Sequence, residues 1–477
     1  MKKLILVIAS AVFITISLSA QNMRSGYFMD GYAFAHEMNP ALTSSRGYFS
    51  IPALGNFNLS ASTNLSLSSI LYPKPDGSGL TTFLNSSIPA AMAMSRFRTD
   101  NSVEVSTNLP VISFGFWGRR LFHTFEISLR ADVNASLPYD LFRFAKEGSV
   151  NGSIFSLDNT SVGLTGYLSA AYGFSLPIGK CVRLGAKAKV LFGVLSADLN
   201  LAGTRIEASR DRWMVSTAGQ LALALPAGIN APVDENGLYD WSRIGDSFSG
   251  YDISSIGEAF GSAGAAVDLG VEVTLFSSLR LSAAVTDLGF ISWNNYNTGA
   301  GLKDASGKPL EYIVIDRNST SDDLSSVGER LQDCIRIKSE ETGARKTQML
   351  NPLIYIGAQY HMPFYDRLSV AFLSTTKIVD KARTWSEGRF YINLDPSNWF
   401  SISTNYAYST FGHSAGAALS FHLPGLNLFV GTDSYIPMTS VTPQYIPINS
   451  MTTSVTVGLN IMFGKYRGFY DIKTNKN

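Results

Sequence analysis

The stretch Leu121–Asn134 alternates between apolar and polar side chains over fourteen residues. One parity carries Ile127 and Leu129, and the other carries Glu126 and Arg130. Successive side chains of a β-strand point to opposite faces, so one face of this strand is apolar and the other carries both signs of charge. A soluble sandwich would bury the apolar face, whereas a membrane barrel would turn it toward lipid and the polar face toward a wet lumen. The length favours the barrel, because strands of soluble proteins mostly run about 3–10 residues and a tilted membrane strand needs about 9–11.

The first twenty residues have the pattern of a secretory signal peptide. Lys2 and Lys3 form a basic start, the run from Leu4 to Leu18 is apolar, and a small residue, Ala20, precedes the expected cleavage point. We therefore expect residues 1–20 to be removed during export. No later run reaches the roughly 18 apolar residues that a membrane helix needs. The mature chain is then either released or inserted as strands.

Composition narrows the classes of function. Charged residues make up 16% of the chain, against about 25% in a typical soluble domain. The net charge of +1 gives no electrostatic footprint for nucleic acid. An exported protein could join Cys181 and Cys334 in a disulfide, but the topology below places them at opposite ends of a barrel, which favours free thiols. Neither cysteine belongs to a metal-ligand or redox spacing, so the sequence predicts no metal and no cofactor.

Period-two segments recur along the mature chain and predict fourteen antiparallel strands. The predicted strands are Phe57–Ser69, Val103–Trp117, Leu121–Asn134, Ser161–Ser175, Cys181–Leu199, Gly264–Phe276, Leu279–Trp293, Leu353–Met362, Arg367–Lys377, Gly388–Leu394, Trp399–Ser409, His413–Leu423, Leu426–Asp433 and Thr453–Phe463. Their connections alternate between short turns and mostly longer loops, in phase along the chain, as in outer-membrane barrels. Strand-like residues in Thr204–Ser209 and Trp213–Leu225 leave sixteen strands as the alternative, and we favour an outer β-hairpin there.

This count divides the chain into a signal peptide at residues 1–20, an N-terminal plug or hatch at 21–50, an outer-membrane barrel at 51–463 and a periplasmic tail at 464–477. Both ends of the mature chain fall on the short-turn, periplasmic side. Two long outer loops have apolar residues at helical spacing and are expected to contain helices. These residues are Leu324, Val327, Leu331 and Ile335 in one loop and Ile253, Ile256 and Phe260 in the other.

Nine charged residues share the polar parity of their strands and are predicted to face the lumen. They are Glu126, Arg130, Asp132, Arg183, Lys187, Lys189, Asp268, Glu272 and Arg280. An isolated charge in a barrel wall is costly, so opposite charges should pair or meet water. Two interpretations stay open: a structural network, or an interior that selects a substrate.

Common catalytic motifs are absent from the sequence. It contains no H-E-x-x-H, no G-x-S-x-G and no Walker A loop. Ser420 and His422 lie two residues apart on one strand face, which leaves a barrel-embedded lipase as a remote alternative, although no acidic partner is evident. The sequence therefore predicts that the protein is not an enzyme and names no catalytic residue.

Two passages resemble known families. Asn39-Pro40-Ala41, shortly after the signal peptide, resembles the Asn-Pro-Ala motif of the FadL-like superfamily of outer-membrane barrels. Asp268-Leu269-Gly270, followed by Leu279–Val285 and Asp287-Leu288-Gly289, resembles paired strand segments of its Bacteroidota relatives. Those relatives include the attachment and shuttle barrel of type IX secretion and a large uncharacterised family, to which the whole mature chain is similar. The resemblance implies a fourteen-stranded barrel with an N-terminal hatch that contains Asn39, Pro40 and Ala41.

The inward and outward parity slips after Val285, because Leu288 and Phe290 continue on the wrong face. A β-bulge at Asp287-Leu288-Gly289 would explain the slip. In the transporters of the superfamily a kinked wall strand opens a lateral exit for hydrophobic cargo, and the resemblance suggests the same here.

The sequence thus predicts a barrel of the bacterial outer membrane, in contact with outer-membrane lipid, that binds or transports a small hydrophobic compound. The alternative is a non-transporting scaffold for surface or secretion protein partners. Transport predicts an apolar pocket under the loops and a gap in the wall. The scaffold predicts a closed lumen and a broad apolar patch on the outer loops.

Overall fold

The computed structural model describes residues 23–29, 32–52, 54–74, 79–148, 152–209, 213–226, 230–240, 243, 261–276, 278–314, 335–379, 383–435 and 450–465. The strands, in chain order, are β1 (Gly47–Ser50), β2 (Phe57–Ser66), β3 (Leu71–Pro73), β4 (Leu80–Thr82), β5 (Asp100–Trp117), β6 (Phe122–Pro138), β7 (Ser153–Ser156), β8 (Ser161–Ile178), β9 (Val182–Asn200), β10 (Arg205–Ala208), β11 (Trp213–Ser216), β12 (Gln220–Ala224), β13 (Ser262–Leu275), β14 (Leu279–Gly301), β15 (Glu311–Val314), β16 (Ile337–Met349), β17 (Leu353–Met362), β18 (Tyr365–Lys377), β19 (Trp385–Ser397), β20 (Phe400–Ser409), β21 (Gly412–Leu423), β22 (Leu426–Tyr435) and β23 (Ser450–Phe463). Short α-helices span Leu67–Ile70, Ala90–Met94 and Tyr139–Glu147.

Fourteen of these strands form a closed antiparallel ring within the described residues. The ring runs β2, β5, β6, β8, β9, β13, β14, β17, β18, β19, β20, β21, β22 and β23, and β23 pairs back with β2. Closure leaves no unpaired sheet edge facing lipid. The predicted fold, a transmembrane antiparallel barrel of fourteen strands, is confirmed.

The sixteen-strand alternative is wrong for the described part of the chain. The strand-like residues behind that alternative form β10, β11 and β12. β12 lies between β9 and β14 and continues the line of β13 toward the long-loop end. β10 and β11 pair as a hairpin outside the ring. Neither piece adds a strand that spans the barrel.

The first wall strand is interrupted. β1 pairs with β23 and β5, and after residues 51–56 the chain continues as β2 between the same two neighbours. The wall therefore begins at Gly47, four residues before the boundary at residue 51 that the sequence suggests.

Burial along β6 is the reverse of that in a strand of a soluble protein, because the polar side chains are buried and the apolar ones are exposed. Glu126 is 2% exposed and faces the lumen, whereas Leu129 is 40% exposed and faces outward. The same holds around the ring, where large apolar side chains on the outer parity are exposed and polar side chains on the inner parity are buried. An apolar outer band over a polar interior is the surface that a barrel presents to a bilayer.

The two ends of the barrel differ. Connections such as residues 118–121, 179–181 and 424–425 form the short-turn end. At the long-loop end, β7, β10, β11 and β15 form a separate four-stranded sheet, ordered β15-β11-β10-β7. Its inner face packs Phe155, Ile206 and Val215 into a hydrophobic cluster with Phe144 of the helix Tyr139–Glu147.

The two segments predicted as outer-loop helices, around Leu324–Leu331 and Ile253–Phe260, lie outside the described residues. Ile335 is described and does not lie in a helix. Among the described residues, no helix is long and apolar enough to cross a membrane.

Candidate functional site: the lumen and its N-terminal segment

Five of the nine predicted lumen charges meet in one buried network of alternating sign. The Lys189 ammonium lies 2.7 Å from Asp268 and 2.6 Å from Asp287. The Arg130 guanidinium lies 3.2 Å from Asp287 and 3.8 Å from Glu126. Lys187 completes the chain, 3.6 Å from Glu126. Each buried charge has a partner of opposite sign, which offsets the cost of removing it from water.

Asp132 belongs to a second network, in which the Lys377 ammonium lies 2.5 Å from Glu104 and 3.0 Å from Asp132. This network joins β5 and β6 to β18 on the other side of the lumen. It therefore braces the barrel across its interior.

The other three predicted residues lie toward the short-turn end. Arg183 donates to the Ser175 hydroxyl at 3.3 Å and stacks over Trp117. Glu272 is the ladder partner of Arg183. Arg280 lies 3.1 Å from the His361 imidazole.

Several charged residues of the lumen are not among the nine that the sequence predicts. Glu104, Lys377, Glu387, Arg389 and Asp433 all face the lumen. Glu104 shares its parity with other polar residues of β5, so the rule that found Glu126 would also have found it. The other four residues lie on β18, β19 and β22, where the same period-two alternation would have identified them.

The N-terminal segment, residues 23–29 and 32–46, fills the lumen, and most of its side chains are buried. Its first turn is fixed by Asp433, which accepts the backbone N–H groups of Arg24 at 2.8 Å and Ser25 at 2.5 Å. The Arg24 guanidinium lies 3.3 Å from Glu387 and 3.7 Å from Asp433. Because Tyr391 also donates to the Arg24 carbonyl at 2.9 Å, this turn is held by both backbone and side chain.

His36 and Glu37 connect the segment to the central network. Lys187 lies 3.3 Å from His36 Nδ1, and an ammonium can only donate, so Nε2 carries the proton and donates to Tyr48 at 2.6 Å. Burial, together with the Lys187 charge, lowers the pKa of His36 to about 3. Burial and the nearby Glu126 raise the pKa of Glu37 to about 8. Both residues are therefore neutral at pH 7.

Glu37 also accepts hydrogen bonds from two amides of the wall. Asn108 Nδ2 donates to it at 2.9 Å and Asn56 Nδ2 at 3.3 Å. The side chain is thus held by the connection between β1 and β2 and by β5, even without a charge.

Asn39, Pro40 and Ala41 dock into a notch formed by two glycines of the wall. Gly185 and Gly270 are ladder partners on β9 and β13. A Cβ atom at Gly185 would lie 2.0 Å from the Pro40 carbonyl carbon, and one at Gly270 would lie 2.0 Å from Asn39 Oδ1. Only glycine therefore allows this approach.

Polar contacts fix the same motif. Asn39 Oδ1 accepts the Ala41 N–H at 2.9 Å, and its Nδ2 donates to Tyr27 at 3.1 Å. The Ser175 hydroxyl donates to the Ala41 carbonyl at 2.8 Å. The structure thus places Asn39, Pro40 and Ala41 against the wall, and it places Gly270 of the Asp268-Leu269-Gly270 segment directly beneath them.

The wall is irregular where the sequence shows its parity slip. Val267 pairs with Leu288 and Leu269 pairs with Val285, so Thr286 and Asp287 together oppose one residue, Asp268, and form a bulge. Asp287 has a φ of 60°, and its N–H donates to the Asp268 carboxylate at 2.8 Å instead of to the ladder.

On its other side β14 changes partner at the same height. It pairs with β17 as far as Thr286 and with β16 from Phe290 onward, and residues 350–352 between them are not in a strand. The Leu350 N–H still donates to the Gly289 carbonyl at 2.9 Å. Both ladders of β14 are therefore interrupted near Asp287.

Two small cavities lie inside this irregularity, of about 30 Å³ and about 60 Å³. Asp132, Asp287, Leu353 and Lys377 line both of them. The smaller cavity has an apolar side with Tyr167, Ile291, Trp293 and Leu350, and the larger one reaches Arg24 and Glu37. Each has room for a few water molecules, and the smaller one is amphipathic.

The remaining candidate residues are Ser420, His422 and the two cysteines. Ser420 is buried toward the short-turn end, and its hydroxyl accepts a hydrogen bond from Asn427 at 3.1 Å. Cys181 is exposed with a free thiol, and Cys334 lies outside the described residues. The described residues contain no group of His, Cys, Asp or Glu side chains able to hold a metal ion.

Fold and site together define a transmembrane β-barrel whose lumen is filled by its own N-terminal segment. The chain belongs to the family described as "Family of unknown function (DUF5723)", whose model matches residues 40–433. No curated protein matches the chain.

Several solved barrels are distantly similar in fold. The toluene transporter TbuX of Ralstonia pickettii is 10% identical, with 94% of this chain and 100% of that chain covered, at a TM-score of 0.42. A Pseudomonas aeruginosa FadL homologue is 9% identical, with 94% and 97% covered, at a TM-score of 0.40. The toluene transporter TodX of Pseudomonas putida is 8% identical, with 93% and 97% covered, at a TM-score of 0.38.

Proposed function

We propose that this chain is a bacterial outer-membrane barrel that binds or transports a small hydrophobic compound, and that it is not an enzyme. One observation carries the proposal: an amphipathic cavity lies against the wall where both ladders of β14 are interrupted at Asp287. The expected signal peptide and the apolar outer band support export and insertion. Outer-membrane barrels turn their short connections toward the periplasm. In that orientation the short-turn end and both chain termini of this protein lie in the periplasm.

The cavity suggests how such a compound is held. Tyr167, Ile291 and Trp293 belong to one buried apolar cluster, and they supply one side of the cavity. Asp132 and Lys377 supply a charged side. Because the cavity of about 30 Å³ is too small for an aromatic or aliphatic compound, a ligand must displace Leu350 or the neighbouring residues 351–352, which are not in a strand.

The N-terminal segment determines the direction of release. It occupies the lumen between the cavity and the short-turn end, and it is fastened at both Arg24 and Asn39. A straight path through the barrel would require both fastenings to break. A sideways path past Leu288 requires only that the irregular part of the wall widen, so we propose lateral release at the bulge.

Binding can be tested through Trp293, which lines the cavity. Brominated compounds quench tryptophan at contact, so purified protein is titrated with bromobenzene and with a dibrominated fatty acid. We expect saturable quenching in the wild type that is absent from Trp293→Phe, since none of the other tryptophans that the structure describes lines this cavity. Quenching that is linear in ligand, or equal in the two proteins, would contradict the proposal.

A second candidate function is a scaffold for surface or secretion protein partners, and the long-loop end favours it. The four-stranded sheet there turns Ile154 and Ile313 outward, each 56% exposed, on the face opposite its buried cluster. Affinity purification from solubilised outer membrane, with lipid mass spectrometry on the same sample, separates the two functions. A bound hydrophobic compound without a stoichiometric protein supports transport, and the reverse result supports the scaffold.

A further inference from the structure

Basic residues of the short connections lie on one arc of the short-turn end. We call Arg46, Arg119, Arg120, Lys180 and Lys465 the basic arc. They precede β1, join β5 to β6, join β8 to β9, and follow β23. Because β23, β1, β5, β6, β8 and β9 are consecutive neighbours in the wall, these connections are also consecutive around the rim.

The other described connections of the rim carry no charge. The described residues of the connections 276–278, 363–364, 398–399 and 424–425 are all uncharged. No Asp or Glu occurs in the described connections that carry the basic arc. Arg119, Arg120, Lys180 and Lys465 are exposed. The arc is therefore a one-sided positive field at the edge of the wall.

Aromatic side chains on the outer surface lie directly beside this arc. Phe116, His123 and Tyr172, which we call the aromatic ledge, come from β5, β6 and β8. The Phe116 and His123 rings stack with centroids 5.0 Å apart, and His123 Nδ1 lies 2.8 Å from the Tyr172 hydroxyl. Phe116 is 40% exposed and Tyr172 is 50% exposed on the apolar outer face.

The aromatic ledge and the basic arc lie at neighbouring depths in the membrane. Phe116 is three residues from Arg119, and Phe463 on the outer face of β23 is two residues from Lys465. Aromatic rings of a membrane protein collect at the level of the headgroups. The basic side chains are then placed where lipid phosphates lie, beside a surface that already contacts acyl chains.

We propose that the basic arc and the aromatic ledge form a binding surface for anionic phospholipids in the membrane leaflet at the short-turn end. The proposal rests on the membrane orientation proposed above. The arc supplies charge complementarity to the phosphate, and the ledge supports the glycerol and upper acyl region. An acidic protein would meet the charges but would have no use for an outward apolar ledge, so lipid is the occupant that both features fit.

The test measures which lipids remain bound to the whole protein. Protein reconstituted in vesicles of equal phosphatidylglycerol and phosphatidylcholine is released into mild detergent, and retained lipids are counted by native mass spectrometry. We expect phosphatidylglycerol to be retained in preference to phosphatidylcholine. The variant Arg119→Ser/Arg120→Ser/Lys180→Ser should lose at least about tenfold of this preference, because each basic residue near an anionic surface changes partition by about fivefold.

The matched control is Lys303→Ser/Lys308→Ser/Lys338→Ser, which removes the same charge from exposed residues of the long-loop end. This control should keep the wild-type preference. Equal retention of both lipids by the wild type, or equal loss in the two triple variants, would overturn the proposal. The lipid count does not involve Trp293, so failure here and failure of hydrophobic-ligand quenching are separate results.

Discussion

Replacement of Gly185 by alanine should undock the N-terminal segment without unfolding the barrel. The added Cβ would lie 2.0 Å from the Pro40 carbonyl carbon and 2.1 Å from the Ala41 nitrogen. Non-bonded carbon atoms rest about 3.5–4.0 Å apart, so the segment must retreat by about 1.5 Å. The hydrogen bond from Ser175 to the Ala41 carbonyl, now 2.8 Å, cannot survive that displacement.

Two costs add up at this site. An unpaired buried carbonyl costs about 1–3 kcal/mol, and overpacking costs about 1–3 kcal/mol. Docking of the segment should weaken by about 2–6 kcal/mol in total. A loss of 2 kcal/mol in docking free energy already raises the population of the locally open state by about thirtyfold. Hydrogen exchange of residues 32–46 in the Gly185→Ala protein should therefore be faster by at least that factor.

The control is Gly166→Ala on β8, where an added Cβ would lie 3.8 Å from its nearest neighbour, the Leu195 carbonyl oxygen. Both variants should show the gel shift of a folded barrel on heating. If residues 32–46 exchange equally fast in the two variants, the glycine notch does not hold the segment and the reasoning fails.

Two further predictions concern the buried charges. The docked segment keeps Glu37 protonated up to a pKa of about 8, against an ordinary 4.5, so its contribution to docking is complete below pH 4.5 and is lost as the pH rises to about 8. Glu37→Gln should abolish this slope in hydrogen exchange measured from pH 4.5 to 8, and an unchanged slope would refute the assignment. Lys189→Ala should destabilise the barrel by about 3–5 kcal/mol, because Asp268 loses its cation and Asp287 is left with Arg130. Urea unfolding from lipid vesicles measures this, with exposed Lys180→Ala as the control, and equal midpoints would contradict it.

The strands could be predicted from sequence because their signal is local. Lipid on one side and a polar lumen on the other impose period two on every spanning strand, and that pattern is complete within β6 itself. Short turns also alternate regularly with longer loops between the strands, which marks where each strand ends. β12 was misleading because it is a piece of wall strand inserted between β9 and β14, which no local pattern distinguishes from a spanning strand.

The candidate site was harder to predict from the sequence, because its contacts join residues that are distant in sequence. Lys377 meets Glu104 across the lumen, and nothing in either strand indicates the other. Gly185 and Gly270 look like ordinary strand glycines until Pro40 is placed against them. Asp287 was recognised at a parity slip, but its role as a partner of Lys189 depends on the bulge that turns it inward.

The most direct test of the central claim is the orientation of β6 in the membrane. Spin labels are attached to single cysteines at residues 125 to 130 in a Cys181→Ser/Cys334→Ser background, and relaxation by oxygen is compared with relaxation by a water-soluble nickel complex. Positions 125, 127 and 129 should be accessible to oxygen, and positions 126, 128 and 130 should be shielded from it by the filled lumen. An absence of alternation, or oxygen access at position 126 rather than at 129, would contradict a membrane barrel with a filled lumen.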